Sequence, residues 1–545
     1  MNKPDPIPFR LTIGVTGHRS LENIEVLREK IKIVIDRILE NFLISTNTQV
    51  LLKVLSPLAE GSDRLVAEEI LNYNSSELKV VLPLCEEEYL EDFPSEESKS
   101  EFKNLLMKAD YVLKLNDQPL KNSSSDELYA ETRKQAYEEV GRYIVDHSDV
   151  LIALWDKSPA QGKGGTADIV KYAESKRCPL FIINTNSSYE INFIEGNGIN
   201  KNIYKQIDDF NSFKLKDKLW FQTIKEKSEL FFKDKEGKEE YRLPEQAKQI
   251  VKKLCLPYYA YAEIFAMKHQ SWYKYIGLIV FWMAFLSVSA IGYGAIILGH
   301  IPKYIFGIEL FFLLVISILI YYSNKMGAHK YWIETRFLAE HLRIDIILTI
   351  CGLKIAPPQY VRHIEEVDTR NGWMILTLEY ILNKIPVQNW ELKEHIPQLK
   401  EFIKNVWIDD QINYHLKRKG KLLKRNETLE RIGEVIFYSA IIIAIVHIVL
   451  TIDILMLDNI LVLAVLLLPA LGATITAIRT HRDYKKIAND SMIMVNNLQQ
   501  LRQELDKPLT SSKLNALIRK TEKLMREDTE DWLLLIASKE LEKAV

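Results

Sequence analysis

The residues best suited to chemistry lie in three short turns rich in small side chains. The longest follows the apolar run 150–155 in VLIALWDKSPAQGKGGTADIV and carries Lys163, Gly164, Gly165, Thr166 and Asp168. A second is Gly17-His18-Arg19-Ser20. A third covers 56–63, with Ser56, Glu60, Gly61 and Asp63, and Arg64 follows at once. Glycine lets the backbone approach a ligand closely, and the free amides at a helix start favour an anion. Arg19, Arg64 and Lys163 supply positive charge for phosphate, which arginine grips through two parallel hydrogen bonds. Carboxylates such as Glu60, Asp63 or Asp168 suit ribose hydroxyls, which donate hydrogen bonds to them. His18 is read as a turn residue rather than a base. The combination suits capture of a nucleotide or another small phosphate-bearing molecule.

Each of these turns leaves an expected strand. Residues 11–16, 50–55, 78–84, 111–115, 150–155 and 180–184 are short apolar runs of the kind that buried parallel strands show. Leu27, Ile31, Ile35 and Ile38 recur at helical spacing and predict a helix over 24–42. Leu65, Ala67 and Ile70 predict another, capped by Ser62 or Asp63. Further helices are expected over 126–147 and from Thr166. The acidic stretch 86–101 reads as a loop entering a helix at 102–107. Strands alternating with helices predict an α/β, Rossmann-like parallel sheet with helices on both faces. Ligands on such sheets bind at the carboxyl ends of the strands, the edge that all three turns share.

The remaining totals narrow the function. A chain of 545 residues has room for more than one domain. Its 71 Lys and Arg against 73 Asp and Glu give a net charge of -2, which speaks against a nucleic-acid partner. Cys85, Cys178, Cys255 and Cys351 show no metal-binding spacing and read as reduced core thiols of a cytoplasmic setting. No metal or resident cofactor is expected. The first residues lack a long apolar stretch, so no signal peptide is expected. The segment 191–267 reads as a helical connector, with a charged loop near 234–240 and a helix at 245–254 opening on Pro244.

The second half is of another kind. Residues 275–298, 305–322, 435–452 and 460–478 are apolar runs long enough to span a bilayer, interrupted only by Glu309 and His447. Lys268 and Lys274 precede the first run, and Lys325, Lys330 and Arg336 follow the second. Lys417, Arg418, Lys419, Lys421, Lys424 and Arg425 precede the third; Arg479, Arg482, Lys485 and Lys486 follow the fourth. This asymmetry predicts cytoplasmic N- and C-termini and two short outer loops. Glu309 and His447 are read as groups near the interface or bonded to a neighbouring helix, the alternative being the lining of a permeation path. The expected domains are 1–190, 191–267, 268–400 and 401–545. The last two resemble each other, since Ala328-His329-Lys330 and Thr480-His481-Arg482 each follow an apolar hairpin. The basic run after Asp409 and Asp410 suits a helix approaching anionic headgroups.

The motifs GVTGHRSL, SPLAEGSDRLVAEEIL and GRYIVDHSDVLIALWDKSPAQGKGGTADIV together resemble the SLOG superfamily. That group includes the LOG phosphoribohydrolases, DprA-like proteins and nucleotide-sensing domains of bacterial defence systems. The resemblance covers roughly residues 8–190. Gly165-Thr166-Ala167-Asp168 is similar to the end of the LOG loop, whose glutamate acts in cleaving the N-glycosidic bond. Here the preceding Pro-Gly-Gly is absent and Asp168 stands in place of glutamate. The resemblance therefore implies a sensor without catalytic residues. The alternative is a membrane-tethered, LOG-like nucleotide N-glycosidase, with Asp168 as its carboxylate and Arg19 or Arg64 as phosphate anchor. The hairpins that continue into long cytoplasmic helices, with FLAEHLR after the first, resemble SLATT membrane effectors. Together these resemblances imply a multi-pass protein of the bacterial inner membrane that acts in anti-phage defence. A nucleotide second messenger, cyclic or derived from ADP-ribose, would drive a homo-oligomer to disrupt the bilayer. A TIR enzyme or nucleotide cyclase would supply the messenger. A constitutive transporter is a third reading.

Overall fold

The computed structural model describes residues 1–42, 47–116, 126–159, 164–186, 188–199, 201–233, 241–353, 372–386, 392–449 and 455–537. It separates into an α/β unit, Asp5–Phe213, and a helical unit, Lys214–Val545 with Met1–Pro4.

The α/β unit opens with β1 (Phe9–Gly17), α1 (Ile24–Glu40), β2 (Val50–Ser56), α2 (Ser62–Leu71) and β3 (Ser76–Leu82). It continues through α3 (Glu86–Leu90), α4 (Glu96–Met107), β4 (Tyr111–Lys114), α5 (Asp126–Asp146) and β5 (Val150–Leu154). α6 (Thr166–Ser175), β6 (Leu180–Ile183), β7 (Ile191–Ile194) and α7 (Lys201–Asn211) complete it. The strands form one sheet in the order β4-β3-β2-β1-β5-β6-β7. Every pairing is parallel except that of β6 with β7. All six expected strands are present. β5 is buried at every position, as a strand covered on both faces must be. Its Leu151 and Ala153 pack with Val140 and Ile144 of α5 and Ile169 and Val170 of α6. The alternate residues Val150, Ile152 and Leu154 are buried on the other face.

Two stretches differ from the sequence reading. The acidic segment 86–101 is largely helical. Ser95 Oγ accepts a hydrogen bond from Ser98 N at the start of α4, where Glu96 and Glu97 occupy the first turn. Carboxylates there complement the helix dipole, so a run of acids favours a helix start. The α/β unit also extends past residue 190, through β7 and α7 to Phe213. Phe193 of β7 stacks on Phe181 with ring centroids 4.4 Å apart. Tyr204 of α7 packs edge-on against Phe9 and Phe42, and Asn211 Oδ1 accepts from Ile7 N at 2.9 Å.

The helical unit begins with α8 (Asp217–Phe232) and α9 (Glu245–Ile250), and a π-helical turn (Val251–Cys255) leads into α10 (Leu256–Ile296). α11 (Lys303–Lys325) and α12 (Ala328–Ile350) follow, then α13 (Trp373–Asn383) and α14 (Ile396–Phe402). A second π-helical turn (Ile403–Asp409) leads into α15 (Asp410–Val449), followed by α16 (Leu455–Arg482), α17 (Tyr484–Asp506) and α18 (Ser511–Ala537). The expected resemblance between the two hairpins extends to this order. Each long helix follows a π turn, and each returning helix ends at a left-handed residue, Gly327 (φ 58°) or Asp483 (φ 44°). A further helix then follows, the buried α12 or the α17 that buries one face. The junction histidines of both halves meet one ring, because His329 stacks on Tyr273 at 4.5 Å and His481 lies 6.4 Å from it.

Four continuous helical stretches of 48 to 54 residues are long and apolar enough to cross a membrane, with mean hydropathy of 2.0 to 2.4 in their most apolar windows. They contain α10, α11, α15 and α16. α10 packs against α11 and α16, and α15 against α16. Phe306, Leu310, Phe311 and Leu314 of α11 and Val435, Phe437, Ile442 and Ile445 of α15 remain exposed. So large an apolar surface is foreign to a protein surrounded by water and is consistent with a multi-pass membrane protein.

Candidate functional site

The turns after β1, β2 and β5 meet at the carboxyl edge of the sheet. β1 lies between β2 and β5, so these turns leave adjacent strands where the strand order reverses, the usual place for a ligand crevice. The first two turns are packed backbone against backbone. Ser62 N donates to His18 O at 3.0 Å and Ser62 Oγ donates to the same oxygen at 2.8 Å. Gly61 has φ of 77°, and a Cβ there would lie 2.2 Å from Arg19 O. Gly17 abuts Ser62 in the same way. These glycines therefore serve the approach of one turn to the other. The third turn joins through His18, whose Nε2 lies 2.8 Å from Asp156 Oδ1, while His18 N donates to Leu154 O.

Beside this junction sits a charged and aromatic cluster. Asp92, in the turn after α3, accepts hydrogen bonds from Arg133 and Tyr137 of α5, on Oδ1 and Oδ2 respectively, and Arg19 Nη2 lies 3.8 Å from Oδ2. The Arg19 guanidinium also lies 5.8 Å from the Tyr137 ring centroid. Tyr89 is fully buried, and among the described residues its hydroxyl has no hydrogen-bond partner. Asp63, in the first turn of α2, is buried as well. Burial pushes its carboxyl up to about 7, against the pull of Arg19, a hydrogen bond from the Ala59 backbone and the charge of Arg64. Arg19 itself is half-exposed, so this cation is both held and accessible.

Arg64 occupies a different place from the one expected of a phosphate anchor. Its guanidinium is buried, donating from Nε to Leu58 O at 3.1 Å and from Nη1 to Ser98 Oγ and Glu101. It also covers the Phe93 ring at 4.6 Å. Ser98 donates in turn to Glu60. Arg64 and Glu60 thus join α2 to α4. Ser56 is buried too, accepting from Leu58 N and donating to Asp63 O.

Gly165 precedes α6, with Thr166 as its first residue and Asp168 in its first turn, and no side chain among the described residues caps it. Gly164 (φ 79°) passes so near α5 that a Cβ would lie 2.8 Å from Glu138 N. The turn into α6 therefore passes against α5 at Glu138, the residue after Tyr137. Lys163 lies outside the described residues. In the helical unit, Glu309 is half-buried two turns into α11, and His447 Nε2 lies 2.9 Å from Asp458 Oδ1 on α16. Among the described residues no group of His, Cys, Asp and Glu is placed to hold a metal ion, and all four cysteines are free and buried.

The sequence reading missed Tyr89, Asp92, Arg133, Tyr137 and Asp156. The one local signal was Arg133 and Tyr137 at i and i+4, which puts both on one face of α5.

The class these features define is a two-unit chain, a mostly parallel sheet with helices joined to an all-helical part with four long apolar helices. Comparison with protein-family models, curated proteins and solved structures finds no match to this chain.

Proposed function

We propose that the chain is a ligand-gated membrane effector of bacterial anti-phage defence. In this reading the α/β unit is a Rossmann-like, SLOG-type sensor facing the cytoplasm. Its ligand is a nucleotide-derived second messenger, cyclic or built on ADP-ribose, made by a TIR enzyme or nucleotide cyclase. The four apolar helices cross the inner membrane with both termini cytoplasmic. A ligand that binds one arrangement of a homo-oligomer more tightly than another shifts the population toward it, and the helices then disrupt the membrane.

The observation that carries the reading is the convergence at the sheet edge. Half-exposed Arg19 and the mostly buried Arg133 flank Asp92, and the glycine turn into α6 passes α5 one residue from Tyr137. The Arg19 guanidinium supplies bidentate phosphate contacts, and the free amides at the start of α6 take a second anionic oxygen. The same chain carries the four apolar helices, which a purely soluble enzyme does not need.

The test uses the full chain in detergent, titrated with ADP-ribose, cyclic ADP-ribose and cyclic dinucleotides. The expected result is binding of one class at about 1 µM or tighter, roughly -8 kcal/mol, with a rise in particle mass by light scattering. No binding and no change in mass across the set overturns the reading. Release of free base from a nucleoside monophosphate, abolished by Asp168→Asn, replaces it with an N-glycosidase.

A further inference from the structure

Within the helical unit, a cavity of about 620 Å³ opens where the basic ends of the apolar helices meet α12, α17 and α18. Lys274 of α10, Arg418 and Arg425 of α15 and Arg482 at the end of α16 line it. Arg482 Nη2 donates to the Lys274 backbone carbonyl at 3.0 Å, which anchors this guanidinium against α10. Among the described residues no carboxylate lies within ion-pair distance of any of the four. Both other carboxylates around the cavity, apart from that of Asp528, already hold cations. Glu340 takes Arg336 and Arg343, and Glu263 takes Lys227 at 2.5 Å. Asp528 of α18 is the remaining acid, and burial pushes it up to about 6 against the pull of Arg418.

Two buried donors or acceptors also go unused. Among the described residues His415 Nδ1 and Arg343 Nε have no hydrogen-bond partner, although His415 is only 3% exposed and both residues line the cavity. An unmatched polar atom of this kind costs about 1–3 kcal/mol unless something fills its valence. Like charges gathered in a recess also repel one another, and a bound anion relieves that. The wall then changes character, because Trp332, Leu278 and Ile478 continue it onto the apolar faces of α10 and α16.

We propose that this cavity is a phosphate-binding site for an amphiphile, with Arg418, Arg425, Arg482 and Lys274 around the phosphate and the Trp332, Leu278 and Ile478 wall against its apolar part. An anionic phospholipid and a soluble phosphorylated molecule offer the same chemistry. The continuity of the wall with the apolar helices favours the lipid. The inference rests on reading these helices as membrane-crossing and is independent of the sheet-edge site. Arginine pairs suit a phosphate better than lysines because each guanidinium presents a planar fork.

The experiment is lipid retention by the full chain in detergent, read by native mass spectrometry with dioleoyl phosphatidylglycerol and dioleoyl phosphatidylcholine, and repeated with millimolar inorganic phosphate as competitor. The expected result is at least tenfold preference for the anionic lipid, lost in an Arg425→Gln, Arg482→Gln double variant. Displacement by inorganic phosphate together with equal retention of the two lipids keeps the phosphate site and assigns it to a soluble ligand. Equal retention with no effect of phosphate overturns the proposal, and these wild-type measurements need no variant to fold. Equal anionic-lipid preference in the double variant, with helicity and melting unchanged, overturns it as well. Arg19→Gln in the α/β unit leaves lipid retention unchanged while weakening nucleotide binding tenfold or more, so failure of one site is distinguishable from failure of the other.

Discussion

His18 Nε2 lies 2.8 Å from Asp156 Oδ1, which ties the turn after β1 to the turn after β5 at the reversal of strand order. Hydrogen bonds from Ser158, with His18 adding to them, hold the Asp156 carboxyl down at about 2. It is therefore ionised at neutral pH and accepts the hydrogen bond from the imidazole N–H. The sign follows from a folded-state value below the ordinary one. The stabilisation is complete above about pH 4 and is lost as pH falls through about 2. Asp156→Ala is expected to cost about 1 kcal/mol in stability. By freeing the two turns it also weakens nucleotide binding about tenfold at pH 7. Melting curves and titration calorimetry check the two effects separately.

Arg19 and Arg64 are neighbours in the sequence reading and opposites in the structure. Arg19→Gln removes a half-exposed charge and is expected to change stability by less than about 0.5 kcal/mol, while nucleotide affinity falls tenfold or more. Arg64→Met removes the donors that serve Leu58 O and Ser98. It is expected to cost about 1–3 kcal/mol, with little change in affinity for the fraction that folds. Chemical denaturation and a binding titration on both variants decide it, and the reverse pattern would assign the phosphate to Arg64.

Asp63 supplies a pH dependence of opposite sign. Its folded-state value of about 7 lies above the 3.8 of a free carboxyl. The folded protein therefore holds a proton that the unfolded chain has already released, and stability falls as pH rises from about 4 to about 7. Arg19 and Arg64 limit the loss, and the Tyr89 hydroxyl adds no countercharge. Asp63→Asn is expected to flatten this slope and raise stability at pH 8 by up to about 4 kcal/mol. Thermal melts of wild type and variant at pH 5, 6, 7 and 8 give the slope directly.

The apolar strands were legible because a buried parallel strand needs an unbroken apolar run, and the residues from 150 to 154 supply one. β7 was not, since INFI is short and half-exposed on an edge and lies within a polar stretch. The glycine turns were legible as turns, but what each glycine accommodates was not. Gly61 makes room for Arg19 O and Gly164 for α5, both tertiary facts. Arg64 misled because arginine after a glycine turn looks the same whether it meets a ligand or spans two helices. The helix α12 is buried almost all round, with His341, Asp345 and Thr349 inside. It therefore offers no polar stripe to separate its core face from its surface. The apolar hairpins needed no such context, since length without charge is itself the signal.

Orientation is open to direct labelling. His300, in the connection between α10 and α11, is exposed. With the four buried cysteines replaced by serine or alanine, His300→Cys is expected to react with a membrane-impermeant maleimide on intact spheroplasts. Lys424→Cys, on the basic approach to the third apolar run, is expected to react only after permeabilisation. Labelling of the second without permeabilisation inverts the topology and removes the cytoplasmic ligand from the proposed function.

Arg526 of α18 reaches into the helical unit and places Nη2 2.8 Å from Asp345 Oδ1 on α12, where Asp345 is 1% exposed. The pair is costly to desolvate, and among the described residues neither Asp345 Oδ2 nor Arg526 Nη1 has a partner. Removing one member leaves an uncompensated charge in the core, at a cost of about 3–5 kcal/mol. Replacing both by apolar groups removes the desolvation cost together with the attraction and comes out near neutral. Arg526→Leu is thus expected to lower the melting temperature of the helical unit markedly, and the Arg526→Leu, Asp345→Leu double variant to recover most of the loss. Differential scanning calorimetry in detergent measures both. A double variant no more stable than Arg526→Leu alone would mean that the ion pair, rather than the avoidance of a lone buried charge, holds α18 against α12.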